Sequence, residues 1–157
     1  MKYRLLTKEQ FEELHEEFAT FLASQQIDAN EWHEIKKNKP EVAQQELEVF
    51  SDFVWDRVLG KAEYLEHTSE KAMNLFYCAP EQILRVVVQV EKEGFSFFDK
   101  TSYKWFLDNS QDSTISYFKG QKPYLKERNQ EIFELIEQGS VISNGALYRG
   151  LIKIISK

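Results

Sequence analysis

Residues 83–90 read Ile83-Leu84-Arg85-Val86-Val87-Val88-Gln89-Val90. β-branched side chains lose rotamer freedom in a helix and pack well on a pleated surface, so this run specifies a strand. Successive side chains point to opposite faces. Val86, Val88 and Val90 therefore form a wholly apolar face, with Arg85, Val87 and Gln89 on the other. Two shorter runs precede it, Tyr64-Leu65-Glu66-His67-Thr68 and Met73-Asn74-Leu75-Phe76-Tyr77-Cys78. Turn-like segments, Ser69-Glu70-Lys71 and Ala79-Pro80-Glu81, separate the three. This spacing predicts a central three-stranded antiparallel meander.

Helical patterns lie on both sides. Thr7 and Gln10 form a capping box, and Phe11, Leu14, Phe18, Phe21 and Leu22 continue it as one stripe to about Ser24. Asp28 caps a second helix, with Glu31 at the reciprocal position and Lys36, Lys37 and Lys39 in its last turn, where cations suit the macrodipole. Pro40 opens a third, whose face is Ala43, Leu47, Phe50, Val54 and Val58, widened by Phe53, Trp55 and Leu59. Gly60 is its expected stop. Beyond the strands, Asp99 or Thr101 caps a short aromatic helix with Tyr103, Trp105, Phe106 and Leu107. Residues 115–123 have no clear assignment, because Gly120 and Pro123 interrupt them. A helix from Pro123 or Tyr124 to Gly139 and a last one capped by Ser143 complete the reading. Gly145 and Gly150 in that last helix suit a close backbone approach by a neighbour. The expected fold is α+β: an N-terminal three-helix segment, the central meander and C-terminal helices, in a single domain over residues 1–157.

Composition narrows the function. The chain has 42% hydrophobic and 29% charged residues, which is globular composition, with no internal repeat and no apolar run long enough for a membrane span. Lys2 and Arg4 at the start are not followed by the apolar segment of a secretory signal. One cysteine, Cys78, excludes an internal disulfide and multi-cysteine zinc sites. Together these predict a cytoplasmic protein. The net charge of −6 is polarised: residues 1–70 hold 16 acidic and 8 basic side chains, the remainder 10 and 12. The N-terminal half is thus unsuited to gripping phosphate backbones.

The chemistry-bearing patterns are sparse. The histidines are His15, His33 and His67, and Glu12-x-x-His15 has the spacing of a di-iron ligand pair. That plan needs a second copy, but Asn30 and Tyr64 stand three residues before His33 and His67. No Gly-x-Ser-x-Gly elbow occurs, and a His67–Cys78 dyad depends on the register of the first two strands. The glycines are too scattered for a phosphate loop. Lys92-Glu93-Gly94-Phe95-Ser96-Phe97-Phe98 faintly resembles an RNA-recognition segment, but Glu93 stands where a basic residue belongs. No catalytic residue, metal site or cofactor is assigned.

Two charged features suit docking. Glu9, Glu13 and Glu17 form one helical row and Glu12 and Glu16 another, which a basic protein surface would relieve. Lys119, Lys122, Lys126 and Arg128 flank Tyr117, Phe118 and Tyr124 as a basic tract.

Several stretches carry a resemblance: Met1-Lys2-Tyr3-Arg4 with Leu6-Thr7-Lys8, Glu63-Tyr64-Leu65-Glu66-His67, Lys119-Gly120-Gln121-Lys122, and Glu127-Arg128-Asn129 running on to Leu135-Ile136-Glu137-Gln138-Gly139-Ser140-Val141-Ile142-Ser143. In these the chain resembles a small family of unknown function from Bacteroidetes-type bacteria. The resemblance implies a bacterial cytosolic setting and no mechanism.

The leading expectation is a non-enzymatic interaction or regulatory module that meets a protein partner through the acidic first helix or the tract Lys119–Arg128. The second is a small-molecule binder or enzyme with a site between the strands and the aromatic helix, built from Glu66, His67, Tyr77 and Arg85. The third is an RNA- or translation-associated accessory protein using the basic tract. Nucleic acid is not the expected partner, and a homo-oligomer is left open.

Overall fold

The computed structural model describes residues 1–156. It is α+β, with seven helices and a five-stranded antiparallel sheet. Its contacts gather into two compact units, Met1–Gly60 and the residues from Lys61 on. No described helix is long and apolar enough to cross a membrane.

The first unit is helical: α1 (Lys8–Glu13), α2 (His15–Ala23), α3 (Ala29–Asn38) and α4 (Pro40–Lys61). The Thr7–Gln10 capping box forms, and Asp28 accepts from the Glu31 N–H at 2.8 Å. The expected first helix is divided at Leu14, which has φ −101 and ψ 22. There the His15 Nδ1 donates to the Glu12 carbonyl at 2.9 Å, a carbonyl that a continuous helix would offer to the Glu16 N–H. Phe50 is fully buried, and the rings of Phe18 and Phe21 lie 4.9 and 5.3 Å from it. Trp32 meets Phe18 edge-on at 5.2 Å.

The buried face of α4 is Ala43, Phe50, Ser51, Trp55 and Leu59, whereas Phe53 and Val58 are exposed. The shift from the expected stripe has a polar cause. The chain before α1 runs along this helix, with the Lys2 and Tyr3 N–H groups donating to Asp52 at 2.7 and 2.8 Å. The Leu6 N–H donates to the Ser51 hydroxyl at 3.1 Å, and that hydroxyl donates to the Leu47 carbonyl at 2.7 Å. A buried serine is tolerated because both its roles are satisfied.

The second unit contains β1 (Tyr64–Thr68), β2 (Ala72–Cys78), β3 (Gln82–Val90), α5 (Lys100–Asp108), β4 (Ile115–Pro123), α6 (Arg128–Glu137), β5 (Val141–Ser143) and α7 (Ala146–Ile155). The sheet order is β4-β3-β2-β1-β5. The meander is therefore its centre, extended at both edges. Residues 115–123, left unassigned from sequence, pair with β3 from Ile115↔Val90 to Pro123↔Gln82. Gly120 and Pro123 are compatible with a strand because this one is an edge. The next helix accordingly starts at Arg128, not at Pro123 or Tyr124. Ser143 ends β5 rather than capping a helix; α7 is capped by Gly145 at φ +83. A Cβ on Gly145 would fall 2.5 Å from the Tyr64 ring, so a close approach occurs there, but ahead of the helix; a Cβ on Gly150 within the helix would meet nothing within 4 Å, so the approach expected there is absent.

Cross-strand partners share a face. The first face carries Met73, Leu75, Val86, Val88 and Val90 in one buried cluster with Phe95, Phe97, Phe106, Ile115, Tyr148 and Leu151. Of the three aromatics in the RNA-like segment, Phe95 and Phe97 are thus core, whereas Phe98 is exposed. The second face carries Leu65, Phe76, Cys78 and Ile83, all buried, as is Ile132 of α6. Arg128 at the start of α6 donates to the carbonyls of Ala62 and Cys78, so it ties the helix to the sheet ends.

Two outcomes follow from these contacts. Arg128→Met keeps the apolar stem but leaves the Ala62 and Cys78 carbonyls without that donor, and should cost about 1–3 kcal/mol in chemical denaturation. Burial pushes the Cys78 thiol from its ordinary value of 9.0 up to about 11. The unfolded thiol then loses its proton first, so this contribution to stability is complete below about pH 9 and is lost as pH rises toward 11. Native protein at pH 8 should resist thiol reagents that label Cys78 readily once denaturant is added.

Candidate functional site

On the second face of the sheet, α6 covers one end and leaves a groove of about 620 Å³ beside it. Alternation on the strands supplies its floor. Phe76 pairs with Arg85, and Arg85 with Gly120, so these three lie in one row across β2, β3 and β4. Ile83 and Lys122 pair in the next row on one side, while His67 and Asn74 pair on the other. The helical wall is Glu131, Glu134, Leu135 and Gln138, whose spacing of three, four and seven residues puts them on one face of α6. Ser140 closes the end, its N–H donating to the Leu135 carbonyl at 3.0 Å. Gly139, at φ +114, passes so close to His67 that a Cβ there would lie 3.2 Å from its Nε2.

The electrostatics are specific. Lys122 faces Glu131 at 3.8 Å, and Lys126 donates to Glu134 at 2.5 Å. Glu134 holds the Lys126 ammonium above its usual range, first through that hydrogen bond and then through charge. The Arg85 Nε donates to the Asn74 amide oxygen at 3.2 Å and its Nη2 to the same atom. The guanidinium carbon stands 5.7 Å from the Phe76 ring centroid.

The residues singled out from sequence divide between the faces. His67 and Arg85 line the groove, but Glu66 pairs with Leu75 and Tyr77 with Leu84, on the first face. There Tyr77 stacks on Tyr64 at 5.1 Å and lies 6.1 Å from Tyr148. Burial, and then the charge of Glu66, raises the Tyr103 phenol above its ordinary value. The space between the sheet and α5 is filled by Met73, Val88, Phe97 and Phe106. Cys78 lies four positions beyond Asn74, the partner of His67, so the register keeps that pair apart.

The docking candidates also divide. Glu9, Glu12 and Glu13 are on α1, Glu16 and Glu17 on α2, all exposed. Among the described residues none of the five has an ion-pair partner. In the basic tract Lys122 and Lys126 are paired with α6 carboxylates and Arg128 serves the sheet ends, while Lys119 lies on the first face opposite Val86.

Asn74, Gly120, Gln121, Glu131, Glu134, Leu135 and Gln138 were not singled out from sequence. The helical spacing from Glu131 to Gln138 was a readable signal; the opposition of Gly120 to Arg85 was not, because β4 had no assignment. Among the described residues no group of three or more His, Cys, Asp or Glu side chains is gathered to hold a metal.

No curated protein and no solved structure matches the chain. The profile of DUF6495 matches residues 1–156, and the chain belongs to this family of unknown function.

Proposed function

We propose that the chain is a non-catalytic binding module whose ligand occupies the groove between α6 and strands β2–β4. The observation that carries this reading is Arg85, a cation held by a neutral amide inside a concave, partly apolar surface. Sites for small molecules combine an apolar lining with a few fixed polar groups, and Phe76, Ile83 and Leu135 beside Asn74, Arg85 and Gln138 have that composition. Binding is favoured over catalysis because Cys78 is a buried thiol raised to about 11. Among the described residues no carboxylate pairs with His67 either. A bacterial cytosolic setting belongs to the same proposal and rests on the family resemblance.

A second reading has its own observation. The unpaired glutamates of α2 adjoin a surface with Phe21 and exposed Phe53, where Glu16, Glu17 and Arg57 form the rim. That combination suits a basic, partly apolar protein segment. The pairing of Lys122 and Lys126 within the chain, by contrast, weakens the case for RNA on the basic tract.

A mixed fragment set followed by 1H–15N NMR should shift the amides of residues 74–76, 83–85, 120–122 and 131–138 together and saturably; shifts confined to other residues would defeat the groove reading. For the second reading, a lysine-rich peptide should bind in low salt and lose most of its affinity when Glu16 and Glu17 are both changed to Lys. Equal binding by that variant would remove the acidic face from consideration.

A further inference from the structure

The groove leaves one charge unmatched. Its carboxylates, Glu131 and Glu134, already face Lys122 and Lys126. Arg85 has no carboxylate partner among the described residues; its Nε and Nη2 both point to the neutral Asn74 oxygen. A guanidinium has five N–H donors in a planar fork. Asn74 occupies the Nε–Nη2 side and leaves the Nη1–Nη2 end available. It also fixes the plane before any ligand arrives, which lowers the ordering cost of binding. Phe76 backs that plane, and on the β4 side a Cβ at Gly120 would meet nothing within 4 Å. Open space therefore lies beside Arg85.

We propose that this groove binds a small organic monocarboxylate with an apolar body. The carboxylate takes the free end of the Arg85 fork, a bidentate geometry that planar carboxylates match. The body lies against Phe76, Ile83 and Leu135. A phosphate dianion fits less well: among the described residues lining the groove, Arg85 is the one Lys or Arg without a carboxylate partner, so a second negative charge would have no cation left to meet. The volume of about 620 Å³ suits a small molecule rather than a folded partner. The inference rests on the groove reading above and adds the class of ligand.

The test titrates the full chain with benzoate, its neutral analogue benzamide and inorganic phosphate, followed by 1H–15N NMR. Benzoate should shift the amides of residues 74–76, 83–85 and 119–122 saturably, and bind at least about tenfold more tightly than benzamide, as expected for a charge-assisted pair. Arg85→Gln should bring benzoate down to the benzamide level. Gly120→Val fills the open space without touching the guanidinium donors; it should weaken benzoate about tenfold or more while the spectrum stays native elsewhere. Benzamide binding in the groove as tightly as benzoate overturns the carboxylate assignment and leaves the groove reading standing. Phosphate binding more tightly than benzoate overturns it in favour of a phosphorylated ligand. No saturable shift in the groove with any of the three, or benzoate binding untouched by both substitutions, overturns the assignment as well. Whether the groove reading falls with it is decided by the fragment set.

Discussion

The apolar row Val86, Val88 and Val90 on β3 has to be removed from water, and each valine withdrawn contributes roughly 1.5–3 kcal/mol. Phe106 of α5 and Tyr148 and Leu151 of α7 close over that row with Met73 and Leu75 of the adjoining strand. Within the second unit, α5 and α7 are committed to that face, and α6 lies on the other. That helix buries Ile132, while Leu65, Phe76, Cys78 and Ile83 are buried on the strands. At the far end of the same face Gln89 and Phe118 remain exposed. The groove is the boundary between the covered and uncovered parts of a sheet with unequal faces.

The first unit solves a related problem with polar contacts. Its long helix carries Ser51 in the buried face, and the segment before α1 is fastened through Asp52, Asp56 and that serine. Burial, with Asp56 as the next cause, pushes the Tyr3 phenol up to about 12. Phe50 is the hub of the aromatic cluster: Phe11 of α1 stacks on it, and Phe18 and Phe21 of α2 meet it at tilted angles.

How much of this was legible in the sequence depends on the range over which each signal acts. The valine alternation on β3, the Thr7 capping box and the Asp28 cap are local signals, and the structure has them, although for Asp28 only the half accepted from the Glu31 N–H forms; of the two candidates Asp99 and Thr101, the cap is Asp99. Pairing partners distant in sequence were not readable. Val141-Ile142-Ser143 is too short to display a period, and only its register against Tyr64, Leu65 and Glu66 makes it a strand. Arg85 could be placed opposite to the valines from alternation alone. Its companions could not, because Asn74, Gly120 and the wall of α6 depend on two registers and a helix start that the sequence left open. Glu66 and His67 show the parity rule plainly: adjacent in the chain, they belong to different faces.

The order of strands along the chain has a consequence for synthesis. β1, β2 and β3 emerge in succession and pair through short turns, but the outer side of β1 finds its neighbour only in residues 141–143. During translation that side of β1 offers unpaired amides and carbonyls to any extended segment nearby, a known route to misassembly. Once Val141–Ser143 docks, the outermost strand on that flank is only three residues long, too short to template further growth. The strand with which the sheet begins is thus sealed last among the strands, just before α7 emerges to close the core.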